Sequence, residues 1–215
     1  MLEVIAKNFV KSILFKCSRK EFKCVQFRCD SLLDPLPAVA LSSANKHLSN
    51  LSHRGLRIRY SDGSLLGLLR DGSFIKHDND VDFDVLFSAS TVKQIMEYAG
   101  ENSWKKIREV RYFDKCQQLT YIDSDEIVFD FIFWDGDDKK LFNFSEYPNI
   151  RIMDAHFLLD LENKLFEGFE VAVPRKSIEW LVMRYGEGWN VPKGEKGDWK
   201  DDCGDMYYAW WIDRK

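Results

Sequence analysis

The chain has 215 residues, of which 45% are hydrophobic and 31% charged, an ordinary balance for a folded globular protein. This length allows one full domain, or one domain with a small appendage. A formal net charge of −4 at pH 7 gives the chain no general electrostatic attraction for nucleic acid, so we expect no nucleic-acid partner.

Basic residues are concentrated at the N-terminus. Residues 1–29 contain seven basic and two acidic residues, a net charge of +5 that leaves −9 for the remainder. The segment is either a solvated amphipathic helix packed on the domain or a contact for an anionic surface, such as the inner face of a membrane. We predict an N-terminal helical and basic segment over residues 1–44 and a larger domain over residues 45–215.

Two further patterns bear on location and on metal binding. No run of the chain approaches the roughly 18 unbroken apolar residues of a membrane span, and polar residues interrupt the region where a signal peptide has its apolar core. We therefore expect a cytoplasmic protein. The five cysteines include no Cys-x-x-Cys pair, which indicates neither a disulfide framework nor a common zinc site.

The hydrophobic periodicity predicts an alternation of helices and strands. Helices are predicted at residues 1–16, 38–54, 64–70, 90–102, 154–165 and 175–185, and strands at 56–60, 80–87, 109–113, 117–122 and 126–134. Residues 21–29 fit a short strand or the continuation of a helix. Residues 186–205 suit a long ordered loop, and the aromatic stretch Tyr207–Trp211 is expected to dock on the body. This order indicates an α+β or α/β domain around a mixed sheet.

Gly63 and Ser64 stand where a predicted strand ends and a helix begins. Glycine lets a bound group approach the backbone closely, and the free N–H groups at the start of a helix attract phosphate. The Ser64 hydroxyl can add a hydrogen bond. We therefore expect a phosphate-binding turn here.

Asp80 and Asp82 alternate with apolar residues in a predicted strand, and Asp84 continues the same face. Side chains at positions i and i+2 share one face of a strand, and strands disfavour aspartate. Two carboxylates about 4 Å apart repel by about 4 kcal/mol at an effective dielectric near 20. A divalent cation removes that repulsion, and carboxylate oxygens suit Mg²⁺ or Mn²⁺. An acidic edge strand facing solvent is the alternative.

Asp130 is a single acid in an otherwise apolar strand. Burying an unpaired carboxylate is costly, so we expect it to face a metal, a cation or a rim. Beside Asp80 and Asp82 it completes a three-carboxylate site able to hold one or two cations against a phosphoryl group. Arg70 is either a phosphate ligand or a helix-terminal arginine, and His77 either shapes the site or lies in a loop.

The order of these motifs resembles the LicD and fukutin family. The family pattern reads Gly-Thr/Ser-Leu-Leu-Gly-x-x-Arg, an apolar pair, and a run of Asp that ends in Asp-apolar-Asp. It corresponds here to Gly63–Arg70 and Phe74–Asp82. Asp130 matches the third carboxylate, Phe166–Pro174 resembles a strand pair ending in Val-Pro, and Leu181–Pro192 resembles a closing Tyr-Gly-x-x-Trp-x-x-Pro. The match covers roughly residues 45–192, and Asn79 replaces an acid of the Asp run.

The resemblance implies an α+β nucleotidyltransferase-like mixed sheet flanked by helices, with residues 45–215 as the catalytic domain. It also implies a phosphotransferase that moves a phospho-alcohol, such as phosphocholine or ribitol phosphate, from a CDP-activated donor to a glycan or lipid-linked glycan, and releases CMP. Asp80, Asp82 and Asp130 would be the catalytic metal ligands, with Gly63, Ser64, Arg70 and His77 at the donor. A nucleotidylyltransferase that passes NMP to a small alcohol or antibiotic, and a non-catalytic binding module, are the alternatives.

Overall fold

The computed structural model describes residues 22–26, 36–146, 150–166, 168–192 and 207–208. Helices α1 to α5 span Ala40–His53, Asp62–Asp71, Ala89–Glu101, His156–Leu159 and Ser177–Tyr185. Strands β1 to β6 span Phe22–Gln26, Ile58–Tyr60, Asp80–Leu86, Lys105–Tyr112, Lys115–Ile122 and Val128–Gly136. Strands β7 to β11 span Lys140–Asn143, Ile150–Asp154, Leu161–Phe166, Phe169–Pro174 and Tyr207–Tyr208. The predicted helix over residues 1–16 lies outside the described residues.

Strand β3 lies between β2 and β6 in the main sheet. It runs antiparallel to β2 and parallel to β6, and the parallel register sets Asp82 directly beside Asp130. On its other side β6 pairs with β5, which is followed by β4 and β1, all antiparallel. The end of β6 pairs with β7, which leads to β8 and β11. The predicted mixed α+β architecture is therefore confirmed.

One face of this sheet forms the hydrophobic core. Val81, Phe83 and Val85 of β3 are fully buried on it, and the Phe83 ring stacks on Phe129 of β6 with the ring centroids 6.0 Å apart. Helices α1 and α3 cover this face. His47 of α1 contacts the Phe129 ring edge-on and hydrogen-bonds the Tyr98 hydroxyl of α3 at 2.8 Å. The alternation of apolar and acidic residues in β3 thus separates a packed face from a polar face.

Asp84 lies on the polar face, as its spacing from Asp80 and Asp82 predicts, but it is completely buried. It forms an ion pair with Arg59 of β2 at 2.6 Å and accepts a hydrogen bond from the Trp134 indole at 2.6 Å. The Arg59 guanidinium in turn lies 4.9 Å from the Trp180 ring of α5. Since its carboxylate is occupied by these partners, Asp84 belongs to the packing of α5 against the sheet.

The predicted helix over residues 154–165 is wrong for most of its length. Only His156–Leu159 is helical, and β9 then pairs antiparallel with β10 around Gly168, whose φ is 85°. Leucines at 158, 161 and 165 recur at spacings of three and four residues, which fit a helical period, and Leu165 is 70% exposed in the structure. Pairing with β10, whose Val171 and Val173 are fully buried in the core, overrides that local preference.

The two ends of the chain are described only in part. Residues 22–26 form β1, which resolves the predicted choice between strand and helix, and Tyr207–Tyr208 pair with β8 through their backbone. Residues 193–205, most of the predicted long loop, lie outside the described residues. The predicted boundary between residues 44 and 45 falls inside α1, while the division into two segments stays a prediction. Within the described ranges, no helix has the length and apolar character needed to cross a membrane.

Candidate active site

Asp80, Asp82 and Asp130 come together on the polar face of the sheet. One carboxylate oxygen of each lies within 4.8 Å of the others, and all three side chains are half-buried. Asp80 and Asp82 share a face because they are two positions apart in one strand, and parallel pairing sets Asp130 beside Asp82. Strand geometry alone thus places three hard oxygen ligands within reach of one divalent cation.

The electrostatics of this cluster favour a bound cation. Burial raises the pKa of Asp82 well above its usual range, and the carboxylates of Asp80, Asp62, Asp130 and Asp78 raise it further. Burial and Asp80 also raise the pKa of Asp130, to about 6, even though hydrogen bonds from Thr120 and Gln118 oppose the change. Crowded carboxylates that resist ionisation gain most from a divalent ion, and oxygen-only ligands fit Mg²⁺ or Mn²⁺.

Helix α2 begins beside the carboxylates and is tied to them through Ser64. The Ser64 hydroxyl accepts a hydrogen bond from the Asp82 backbone N–H at 2.9 Å. Ser64 is 1% exposed and lies behind the site wall, whereas Gly63 lies in the wall. A Cβ on Gly63 would overlap the Asp78 carboxylate. With glycine at this position the Asp78 carboxylate can lie close to the start of α2, and a larger residue would displace that side chain.

A cavity of about 300 Å³ opens in front of Asp80 and Asp82. Of the donor-binding residues predicted from the sequence, Gly63, Arg70 and His77 line it. Arg70 is held by its neighbour, because Nε and Nη2 donate to the two Asp71 carboxylate oxygens at 3.0 and 2.7 Å. The donor-binding roles of Gly63, Ser64, Arg70 and His77 stay predictions.

Asp62, Arg151 and Arg184 form a buried ion cluster that the sequence analysis missed. The Asp62 carboxylate accepts hydrogen bonds from Arg151 Nη2 at 2.7 and 2.8 Å and from Arg184 Nε at 2.7 Å. Burial opposes ionisation of Asp62, but the two guanidinium groups outweigh it and hold its pKa below the usual range. Asp62 and Arg184 both line the cavity, so the cluster joins β8 and α5 to the cavity-facing start of α2.

Further lining residues come from the end of α5 and the segment after it. They are Tyr185, Gly188, Trp189, Val191 and Pro192. These residues fall in the stretch that resembles the closing Tyr-Gly-x-x-Trp-x-x-Pro pattern, which carried no role in the sequence analysis. The cavity is thus lined by carboxylates and by apolar and aromatic side chains. Such a lining suits a phosphorylated ligand with a flat or apolar part.

Comparison with known proteins identifies related sequences and folds. A family model described as "LicD/FKTN/FKRP, nucleotidyltransferase domain" matches residues 55–176. The solved structures similar to the chain include the lincosamide antibiotic adenylyltransferase LnuA in its lincomycin-bound form, at 12% identity and a TM-score of 0.48, covering 68% of this chain and 85% of that one. Another is an antigenic nucleotidyltransferase-like protein from Paracoccidioides brasiliensis, at 12% identity and a TM-score of 0.39, covering 65% and 62%. No curated protein matches the sequence.

Proposed function

Because the chain belongs to the LicD/FKTN/FKRP nucleotidyltransferase-domain family, its activity is of the phosphotransferase or nucleotidyltransferase type, and we propose the following reaction. The protein transfers a phospho-alcohol, such as phosphocholine or ribitol phosphate, from a CDP-activated donor to a hydroxyl of a glycan or lipid-linked glycan, and releases CMP. The observation that carries the proposal is the convergence of Asp80, Asp82 and Asp130 within 4.8 Å at the cavity.

Asp80, Asp82 and Asp130 would hold Mg²⁺ or Mn²⁺, and the cation when bound neutralises charge on the donor's diphosphate. Gly63, at the start of α2, lines the same cavity, and the free backbone N–H groups at the start of a helix suit a phosphate oxygen. Arg184, fixed by Asp62, adds a positive group to the cavity wall. Positioning and charge neutralisation account for most of the rate enhancement in phosphoryl transfer.

The acceptor hydroxyl forms a bond to the phosphorus that carries the alcohol, while the bond from that phosphorus to the bridging oxygen of CMP breaks. The hydroxyl proton must leave as its oxygen attacks. Asp130 either takes that proton or serves only as a metal ligand, and its position on β6 beside Asp82 allows both roles.

Product analysis tests the reaction type. We expect magnesium-dependent release of CMP from one of CDP-choline, CDP-ribitol or CDP-glycerol in the presence of a glycan acceptor. Release of pyrophosphate from an NTP would instead identify a nucleotidylyltransferase. Failure of every CDP-alcohol and NTP to raise the melting temperature with magnesium present would favour a non-catalytic binding module.

Substitution of Asp82 by Asn tests the site. Asp82→Asn keeps the size of the side chain but removes a metal-binding charge, so we expect turnover to fall at least about 1,000-fold with little change in unfolding temperature. Asp138→Asn is the matched control, because Asp138 is exposed in the turn between β6 and β7. Near-normal transfer by Asp82→Asn with a competent donor would refute the assignment.

A further inference from the structure

Asp130 differs from the other two carboxylates in the side chains that surround it on β5. Gln118 Nε2 donates to Asp130 Oδ2 at 2.9 Å, and the Thr120 hydroxyl donates to Asp130 Oδ1. The same Gln118 amide group lies 3.4 Å from the Thr120 hydroxyl oxygen. Gln118, Thr120 and Asp130 therefore form a closed ring of hydrogen bonds, in which each Asp130 oxygen accepts one.

With Asp130 ionised, the donors in this ring have one consistent direction. A carboxamide nitrogen can only donate, and the reversed amide would place its oxygen against an ionised carboxylate oxygen. A Thr120 hydroxyl that accepts from Gln118 keeps its own hydrogen for Asp130. Both Asp130 oxygens are thus acceptors, and each retains a further lone pair for another partner. The ring matches an ionised carboxylate, which is the state that binds a metal ion.

The donors are themselves fixed by the sheet. Gln118 and Thr120 are each 5% exposed, and β5 is hydrogen-bonded along both edges, to β4 and β6. Thr120 stands directly opposite Asp130 in the β5–β6 register. Neither side chain can follow Asp130 if that carboxylate rotates, so rotation would break both hydrogen bonds in a buried place, where unpaired polar groups are costly.

We propose that Thr120 and Gln118 are positioning residues that hold the Asp130 carboxylate in the orientation in which it binds the metal ion. This inference rests on the proposed function, and it assigns Asp130 the role of ligand rather than of proton acceptor. Hydrogen-bond partners of metal ligands orient them in this way, and their removal weakens metal binding by roughly 10- to 100-fold.

Manganese binding to the substrate-free protein tests the inference, with free Mn²⁺ measured by its EPR signal. Thr120→Val removes the hydroxyl with almost no change in shape, and Gln118→Met removes the amide donors. Thr120→Ser restores a hydroxyl. Tyr121→Phe is the matched control, because it removes a buried hydroxyl from the opposite face of the same strand. Asp130→Asn marks the full effect of losing the ligand.

We expect Thr120→Val and Gln118→Met each to weaken Mn²⁺ binding roughly 10-fold, Thr120→Ser to recover most of it, and Tyr121→Phe to match the unmodified protein. If Asp130→Asn weakens binding while Thr120→Val and Gln118→Met do not, the positioning role is refuted and the metal site stands. Weaker binding in Tyr121→Phe, or no recovery in Thr120→Ser, also refutes it. If the unmodified protein binds no Mn²⁺, the metal site of the proposed function fails as well.

Discussion

Replacing Asp62 by Asn tests whether the buried ion cluster stabilises the fold. Asp62 has a φ of 39°, a backbone conformation that asparagine also tolerates, so the substitution removes the charge and keeps the shape. The Arg151 and Arg184 side chains are 2% and 3% exposed. Without Asp62 their charges lose the partner they share. Removing one partner of a buried ion pair costs about 3–5 kcal/mol. This is a large part of the free energy of unfolding of a typical protein, which is about 5–15 kcal/mol.

The assay is urea unfolding followed by circular dichroism at neutral pH, with the free energy extrapolated to zero urea. Asp71→Asn is the matched control. Asp71 also pairs with an arginine in α2, Arg70, but its side chain is 37% exposed, and surface ion pairs contribute about 0–1 kcal/mol. If Asp62→Asn lowers the free energy of unfolding by less than about 1 kcal/mol, or by as much as Asp71→Asn does, the buried ion cluster does not stabilise the fold more than a surface ion pair, and the prediction is refuted.

Two further predictions concern α1 and α2. Burial lowers the pKa of His47 to about 4, and the charge of Lys46 acts in the same direction. As the pH falls, His47 therefore takes up a proton in the unfolded chain before it does so in the folded protein. The contribution of His47 to the free energy of unfolding should therefore drop by up to about 3 kcal/mol between pH 6.5 and pH 4, which urea titrations measure as the difference in pH dependence between the unmodified protein and His47→Gln. In α2, a Cβ on Gly67 would lie 2.6 Å from the backbone carbonyl oxygen of Ser73, whereas a Cβ on Gly63 would contact only the carboxylate end of the Asp78 side chain. Gly67→Ala should lower the free energy of unfolding by about 1–3 kcal/mol, and Gly63→Ala should lower it clearly less. A larger loss in Gly63→Ala than in Gly67→Ala, measured by urea unfolding, would contradict this prediction.

The parts of the site that the sequence predicts are those set by local spacing. The alternation in β3 places Asp80 and Asp82 on one face, and the single acid in β6 marks Asp130, because strand period decides which face a side chain occupies. The start of α2 is also recognisable, since Gly63 and Ser64 follow a short strand. One parallel strand pair then converts two local patterns into a three-residue cluster.

The parts that the sequence does not predict depend on contacts between distant residues. Asp62 pairs with arginines 89 and 122 positions away, and in the sequence it reads as an ordinary turn residue before Gly63. Asp84 has the same spacing as Asp80 and Asp82, yet it pairs with Arg59 on the neighbouring strand. Leucine periodicity over residues 158–165 favours a helix, and the pairing of β9 with β10 overrides it.

The ion cluster also links folding to the formation of the cavity. Asp62 is the first residue of α2, Arg151 lies in β8, and Arg184 lies in α5, next to the segment whose Trp189 also lines the cavity. Loss of α2 would take away the carboxylate that both buried arginines share, which is costly, whereas loss of either arginine would leave Asp62 paired with the other. The cavity-facing start of α2 and the segment after α5 are therefore linked through Asp62 and Arg184. The carboxylates on β3 and β6 are brought together by the pairing of the two strands, and Asp130 is further held by Gln118 and Thr120 of β5.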